Sequence, residues 1–125
     1  MLTGAKLVAF GATTHPADAI AFYTKVLGLA LRYEDEFAIS LDSGGVELRL
    51  QKVEQFAPQA FTTLGWQVPR MTEVIERLIT HGVVLERYPW IEQDASGVWQ
   101  APSGARVAWF KDPDGNLLSV AEYPA

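Results

Sequence analysis

In the first half of the chain, segments with the hydrophobic pattern of strands precede and follow a segment with the pattern of a helix. An apolar run at residues 6–12 (KLVAFGA) is typical of a buried strand. Pro16 suits the first position of a helix. The apolar residues after it recur at helical spacing up to Gly28, which provides the left-handed residue that ends a helix. Three short strands are predicted next, at residues 30–33, 37–41 and 46–51.

The second half of the chain repeats this order of elements. A strand at residues 61–68 precedes a helix at residues 71–80, and Gly82 ends that helix as Gly28 ends the first. Further strands are predicted at residues 83–87, 106–111 and 116–122, the last two joined by a DPDG turn. The repetition predicts a single α+β domain, residues 1–125, in which two βαβββ modules at about 1–55 and 60–125 share one core.

Composition narrows the classes of protein to which the chain can belong. With 49% hydrophobic residues in 125, the chain has enough apolar surface for a core. Its net charge of −5, without a run of Lys or Arg, argues against nucleic acid as a partner. No apolar run approaches the roughly 20 residues of a membrane-spanning helix, so a cytoplasmic protein without membrane contact is expected. The absence of cysteine excludes disulfides, cysteine-ligated zinc and thiol nucleophiles.

Four segments carry a resemblance to a known superfamily. They are FYTKVLGL at residues 22–29, GVEL at 45–48, the helix end His81-Gly82, and DPDGN at 112–116. In this order they resemble the vicinal oxygen chelate superfamily, which contains glyoxalase I, extradiol dioxygenases, fosfomycin resistance enzymes and bleomycin resistance proteins. The resemblance implies two βαβββ modules whose curled mixed sheets enclose a cleft, commonly completed by a homodimer.

The resemblance also identifies four positions at which enzymes of the superfamily bind a divalent metal. In this chain they are Val8, Glu47, Thr63 and Ser119. Only Glu47 has a good ligand atom, because valine has none and neutral hydroxyls are poor substitutes for imidazole and carboxylate. We therefore expect that the chain keeps the architecture without the metal and uses no cofactor.

The alternation of VELRLQ at residues 46–51 predicts that Glu47 and Arg49 share one face of a strand. If that face lines the cleft, the same period in the second module adds Thr63 and Gln67, and Ser119 joins them. Such a cluster predicts a small-molecule site in which Arg49 recognises a carboxylate, phosphate or carbonyl and Glu47 orients it or acts as a base. The alternative is an ordinary ion pair between Glu47 and Arg49 on a solvated sheet face.

Two tryptophans, Trp90 and Trp99, lie in the irregular stretch 88–99 and are candidates to stack on a flat ligand. A role in fixing the loop or in a dimer contact is an equally good explanation. The other two tryptophans, Trp66 and Trp109, are predicted to lie in the core.

Together these residues favour a metal-independent small-molecule-binding protein of the glyoxalase/bleomycin-resistance type. The alternative is a glyoxalase-like lyase or isomerase, or a dioxygenase-related enzyme, with Glu47 as base or as ligand of a non-standard metal site. A domain that only mediates protein interactions is a third possibility. The sequence contains no nucleophile elbow, phosphate-binding loop or zinc-protease motif that would indicate another chemistry.

Overall fold

The computed structural model describes every residue from Met1 to Ala125 and divides into two compact units, Met1–Ala57 and Pro58–Ala125. Each unit contains a four-stranded mixed sheet, with its helical segment between the first and second strands. This arrangement confirms the α+β class and the two βαβββ modules predicted from the sequence. No helix is long and apolar enough to cross a membrane.

The first unit begins with a strand and a short helix, which continues directly as a π-helical segment, Phe22–Val26. Gly28, with a φ of 79°, ends this segment as predicted. The elements of the unit are β1 (Val8–Thr13), α1 (Pro16–Ala21), β2 (Ala30–Glu34), β3 (Ala38–Ser43) and β4 (Val46–Lys52). In the sheet order β1-β4-β3-β2, β1 runs parallel to β4 and the other pairs are antiparallel.

Alternation along β4 separates the two faces of this sheet. Leu48 and Leu50 are 2% and 1% exposed, whereas Glu47 and Arg49 lie on the opposite face and are only partly buried. On the buried face, Gly11 lies beside Leu50, and a Cβ at residue 11 would come within 2.9 Å of Leu50 Cδ2. A larger residue at position 11 would therefore require the end of the Leu50 side chain to shift.

The second unit has a sheet of order β5-β8-β7-β6, in which β5 runs parallel to β8. Its elements are β5 (Leu64–Gln67), α2 (Met71–Thr80), β6 (Trp99–Gln100), β7 (Arg106–Lys111) and β8 (Leu117–Glu122). One face of α2 and one face of the sheet supply the buried side chains: Met71, Ile75, Leu78, Ala108, Phe110, Leu118 and Val120. The amide of Met71 donates to the Glu122 carboxylate at 2.7 Å, which connects the start of α2 to the end of β8.

The prediction of a strand at residues 83–87 is wrong. This segment is irregular, although a backbone hydrogen bond of 2.8 Å connects it to Trp109 on β7. The fourth strand of the sheet is β6 instead, in which Trp99 pairs with Val107. Gly97, at a φ of 98°, lets the chain turn just before β6, which pairs with β7 beyond the hydrogen bond to Trp109.

The DPDGN turn between β7 and β8 is held by the side chain of Asp112, which is buried. Its Oδ1 accepts hydrogen bonds of 2.9 Å from the amides of Asp114 and Asn116, and its Oδ2 accepts one of 2.8 Å from Asn116 Nδ2. Gly115 completes the turn at a φ of 87°. One carboxylate thus satisfies three donors and sets the register of the two strands.

Replacing Asp112 by alanine should lower the free energy of unfolding by about 2–4 kcal/mol, because three donors lose their acceptor in a buried turn. Asp112→Asn should lower it less, since it keeps one carbonyl oxygen for the backbone amides. Denaturant unfolding followed by circular dichroism measures both changes. Equal stability of the wild type and Asp112→Ala would show that the turn does not depend on this carboxylate.

Candidate functional site

The partly exposed face of the first sheet carries a row of side chains that crosses all four strands. Strand register places Phe10, Arg49, Ser40 and Tyr33 side by side on β1, β4, β3 and β2. The aromatic side chains at the two ends of the row, Phe10 and Tyr33, are 54% and 45% exposed, whereas Ser40 is fully buried. The row therefore has a polar centre between two exposed aromatic rings.

Glu47 lies on the same face, beside Val8 of the neighbouring strand. Its Oε2 accepts a hydrogen bond of 2.7 Å from Ser40 Oγ and lies 3.9 Å from Arg49 Nη1. Its Oε1 lies 4.0 Å from Arg32 Nη1. A carboxylate with one hydroxyl donor and two guanidinium neighbours is well placed to orient those groups.

Arg49 is fixed from its other side by Tyr33. Its Nη1 donates a hydrogen bond of 2.6 Å to the tyrosine hydroxyl, and its guanidinium carbon lies 6.0 Å from the centre of that ring. The ion pair between Glu47 and Arg49 considered from the sequence is present, as part of a network that also includes Ser40. The sequence does not identify Ser40 or Tyr33, because period-two alternation gives the face of a residue but not its partner on the next strand.

In the second unit, alternation places the predicted binding residues of the leading strand on one face. Thr63, Gly65 and Gln67 are exposed, whereas Leu64 and Trp66 between them are half-buried. Thr63 lies just before β5, and Gln67 is the last residue of that strand. The predicted parity of this strand is therefore the observed one.

Ser119 lies on the same face of the second sheet, directly beside Gly65. A Cβ on Gly65 would lie 2.7 Å from Ser119 Oγ, so the serine hydroxyl covers the glycine. Thr63 contacts Leu117 instead, since its amide and its hydroxyl both donate to the Leu117 carbonyl, at 3.0 Å and 3.3 Å. Ser119 and Thr63 thus share a face without being paired across the two strands.

The residues at the four metal positions do not fit a divalent cation. Val8, the neighbour of Glu47, offers no ligand atom, and Thr63 and Ser119 offer neutral hydroxyls. Neither unit contains a group of three or more His, Asp or Glu side chains that could hold a metal ion. Catalytic metal sites commonly use about three protein ligands. The donor set of each unit therefore falls short of a site of this kind.

Four aromatic side chains, which we call the aromatic row, form a continuous series on the Ser119 face of the second unit. Ring centroids are 5.0 Å apart between Trp90 and Tyr88, 5.5 Å between Tyr88 and Trp109, and 6.0 Å between Trp109 and Trp99. Trp109 pairs with Ser119 across β7 and β8, so an inner member of the row lies next to the serine. The structure thus brings both predicted loop tryptophans and a β7 tryptophan together.

The prediction that Trp109 lies in the core is wrong. Ala108 and Phe110 are fully buried on the α2 side of β7, and alternation turns Trp109 between them to the other face. In the sequence of β7, residues 107–110 (VAWF) form a continuous apolar run, so the sequence gives little indication that Trp109 faces away from the core. Trp66, on the opposite face from Gly65, is half-buried.

The aromatic row borders a cavity of about 410 Å³, called the aromatic cavity below. Its further apolar walls are Phe61, Ile91 and Leu117. No charged side chain lines it, and its polar character is limited to the neighbourhood of Thr62 and of the Tyr88 hydroxyl. The cavity is therefore a mainly apolar site with flat walls.

Gln93 holds the loop that carries two members of the aromatic row. Its Oε1 accepts a hydrogen bond of 2.8 Å from the amide of Tyr88. Its Nε2 donates to the carbonyls of Glu86 and Gly97, at 2.9 Å and 2.8 Å. One amide side chain thus connects the beginning, the middle and the end of the loop.

Two charged residues add to this network from the exposed side of the loop. Arg87 Nη2 donates to the carbonyls of Asp94 and Ala95, both at 2.7 Å. Asp94 Oδ1 accepts from the amides of Ser96 and Val98, both at 2.9 Å. Hydrogen bonds, with that from Val98 first, hold the pKa of the Asp94 carboxyl below its ordinary value.

Tyr88 is the titratable member of the aromatic row. Burial, with a smaller contribution from the Glu86 carboxylate, raises the pKa of the Tyr88 hydroxyl above its ordinary value. The hydroxyl therefore stays protonated throughout the physiological pH range and contributes no negative charge to the cavity.

Two βαβββ units, each with a mixed sheet that leaves one face partly exposed, define an α+β protein of the two-module type. The chain belongs to the glyoxalase/bleomycin resistance protein/dioxygenase superfamily, whose family model matches residues 10–120. No curated protein sequence matches the chain significantly.

Solved structures of the superfamily are similar over the whole chain. A genomically encoded fosfomycin resistance protein, FosX, from Listeria monocytogenes is 13% identical with a TM-score of 0.77, covering 99% of this chain and 96% of that one. A superfamily member from Sphaerobacter thermophilus is 19% identical with a TM-score of 0.76, covering 98% and 99%. Lactoylglutathione lyase from Agrobacterium tumefaciens is 17% identical with a TM-score of 0.70, covering 96% of each chain. At these identities the similarity shows the fold alone.

Replacing Gln93 by leucine should loosen the loop, because the Tyr88 amide and two carbonyls lose their partner. We expect the free energy of unfolding to fall by about 1–3 kcal/mol and the near-ultraviolet circular dichroism of the tryptophans to weaken. Gln59→Leu, at an exposed position of the connector, is the matched control and should change stability by less than about 0.5 kcal/mol. Identical unfolding curves and spectra for both variants would contradict the role given to Gln93.

Proposed function

We propose that the protein binds a small molecule without a metal ion, as a binding protein of the glyoxalase/bleomycin-resistance type, with the aromatic cavity as the site. The observation that supports this most directly is the cavity itself, about 410 Å³ in volume and walled by three tryptophans and a tyrosine. Sites for small molecules are typically concave, mostly apolar and roughly 300–1,000 Å³ in size. One wall of the cavity, Trp109, pairs with Ser119, where the resemblance places a metal ligand and this chain has a hydroxyl.

The hydrogen bonds of the loop support the same proposal. A binding site whose walls are already ordered loses less conformational entropy when the ligand arrives. Gln93 and Arg87 fix the loop through bonds of 2.7–2.9 Å to five backbone groups. The aromatic walls are therefore held in place before a ligand binds.

Polar contacts to a ligand are proposed at the positions predicted from the sequence. In the second unit, Ser119, Thr63 and Gln67 lie on the same face as the aromatic row. The first unit offers a separate candidate surface, which does not line the aromatic cavity. Both polar contacts of Arg49 use Nη1, so its other N–H groups are available to a carboxylate, phosphate or carbonyl of a second ligand. We assign Glu47 the role of orienting that guanidinium.

The alternative is an enzyme, a glyoxalase-like lyase or isomerase or a dioxygenase-related enzyme, in which Glu47 acts as a base or metal ligand. The position of Glu47 on a partly exposed sheet face favours this reading. Its Oε2, however, already accepts the Ser40 hydroxyl and its two neighbours are guanidinium groups, an arrangement more typical of an orienting residue than of a base. The homodimeric state, the cytoplasmic location and the absence of a cofactor stay predictions.

Ligand binding can be tested with a small-molecule library and thermal unfolding, since a compound that binds the native state raises the melting temperature. For a compound found in this way, Trp90→Ala should weaken binding about three- to tenfold through lost ring stacking. Trp90 is 75% exposed, so its removal should leave the fold intact, and Tyr123→Ala, at a residue 57% exposed, is the control. Equal affinities in wild type and Trp90→Ala would exclude the aromatic cavity as the site.

The same compound can be used to distinguish a binding protein from an enzyme. If the protein is a metal-independent binder, a chelator should leave the affinity unchanged, and Glu47→Gln should change it by no more than about twofold, because Glu47 does not line the cavity. If the protein is instead an enzyme with Glu47 as base, the wild type will convert the compound and Glu47→Gln will lose about 10²–10⁴-fold in rate. Mass spectrometry of the compound after incubation with each protein distinguishes the two outcomes.

A further inference from the structure

The walls of the aromatic cavity indicate which charge its ligand carries. Three of the walls are indole rings and one is a neutral phenol, and no charged side chain lines the space between them. The faces of aromatic rings are negative, so they attract a cation and repel an anion. This property is strongest for tryptophan, the residue that occurs three times in the aromatic row.

A carboxylate lies close to the aromatic row in the chain, since Glu86 precedes Tyr88 by two residues. It also contributes to the raised pKa of the Tyr88 hydroxyl. Two neighbouring cations are engaged elsewhere: Lys111 Nζ lies 3.5 Å from Glu86 Oε1, and Arg87 Nη2 donates to two carbonyls of the loop. An anion entering the cavity would therefore meet aromatic faces, with no cationic side chain among the lining residues to balance its charge.

The spacing of the rings determines how a ligand fits against them. Neighbouring centroids in the row are 5.0–6.0 Å apart, less than the roughly 7 Å that two stacking contacts of about 3.5 Å each would need. A ligand therefore lies against the row and not between two of its rings. Trp90, which is 75% exposed, presents an indole for such a contact. A flat ligand has the largest contact area with a surface of this shape.

We infer that the aromatic cavity accepts a planar aromatic cation, such as a protonated or quaternary nitrogen heterocycle, in preference to a neutral or anionic compound of the same shape. The inference rests on the proposed small-molecule binding and adds the chemical class of the ligand. It places the positive charge over the indole faces, near Glu86, where it needs no partner of opposite charge among the lining residues.

A matched series of three-ring compounds tests the charge preference. At mildly alkaline pH, 9-aminoacridine is a cation, acridine is neutral and acridine-9-carboxylate is an anion, while the planar framework stays the same. Titration calorimetry should show the cation binding at least about fivefold more tightly than the neutral compound, and the anion more weakly than both. Equal affinities, or tighter binding of the anion, would overturn the inference.

Two variants test the source of the preference. Glu86→Gln removes the carboxylate beside Tyr88, and the ratio of cation to neutral affinity should fall at least about twofold. Glu76→Gln is the control, because it makes the same change in net charge at an exposed residue of α2 that does not line the cavity, and the ratio should stay the same. A ratio that is unchanged in Glu86→Gln, or that falls equally in Glu76→Gln, would overturn the role of this carboxylate.

Failure of this inference is distinguishable from failure of the proposed function. If no acridine binds but the library yields an anionic compound whose affinity depends on Trp90, the cavity is a binding site and the charge class is wrong. If no library compound and no acridine stabilises the protein, the proposed function itself fails.

Discussion

The pairing of β8 with a strand on each side is the constraint on which the second unit depends. Leu118 and Val120 face the core, so Ser119 between them must face the other way, where register places it between Gly65 and Trp109. A slip of one residue would send every side chain of the strand to the opposite face. The hydrogen bonds of Asp112 fix the turn before β8 and so prevent that slip. A buried carboxylate at the end of the sheet thereby decides which groups line the candidate site.

In the first unit, the burial of alternate residues also determines which side chains lie on the exposed face, but these side chains are polar. The burial of Leu48 and Leu50 against the core directs Glu47 and Arg49 to the partly exposed face, where Ser40 meets them from β3. The result is a polar surface with a fixed guanidinium, in contrast to the apolar surface of the second unit. Two units with one topology thus offer two kinds of contact, because only the buried positions are constrained by the fold.

The parts of the fold that the sequence predicts well are those encoded locally. Pro16 and Gly28 mark the ends of the first helical segment, VELRLQ shows the two faces of β4, and Asp112 with Gly115 specifies a turn. Each of these signals depends on the conformational preference of a few adjacent residues. The two modules and the faces of the predicted polar residues follow from them.

What the sequence does not predict depends on contacts between distant segments. The segment at residues 83–87 bonds to β7 through the Glu86 amide and the Trp109 carbonyl without forming a strand, whereas Trp99–Gln100 pairs with Arg106 and Val107 further along the same edge. Trp109 lies in a run of apolar residues, in which the sequence does not show which side chains face the core. Its direction becomes clear only when the buried faces of Ala108 and Phe110 are known. The network of Ser40 and Tyr33 likewise requires the register of three strands.

An aromatic surface in water tends to collapse, because bringing its rings together removes apolar area from solvent. Left free, the loop that carries Trp90 would fill the aromatic cavity with its own side chains. The three hydrogen bonds of Gln93 oppose this collapse, since closing the loop would leave a backbone amide and two carbonyls without partners. The hydrogen bonds that fix the loop and the apolar character of the cavity therefore depend on each other. A ligand that stacks on the aromatic row gains the apolar contact that the loop is prevented from making with itself.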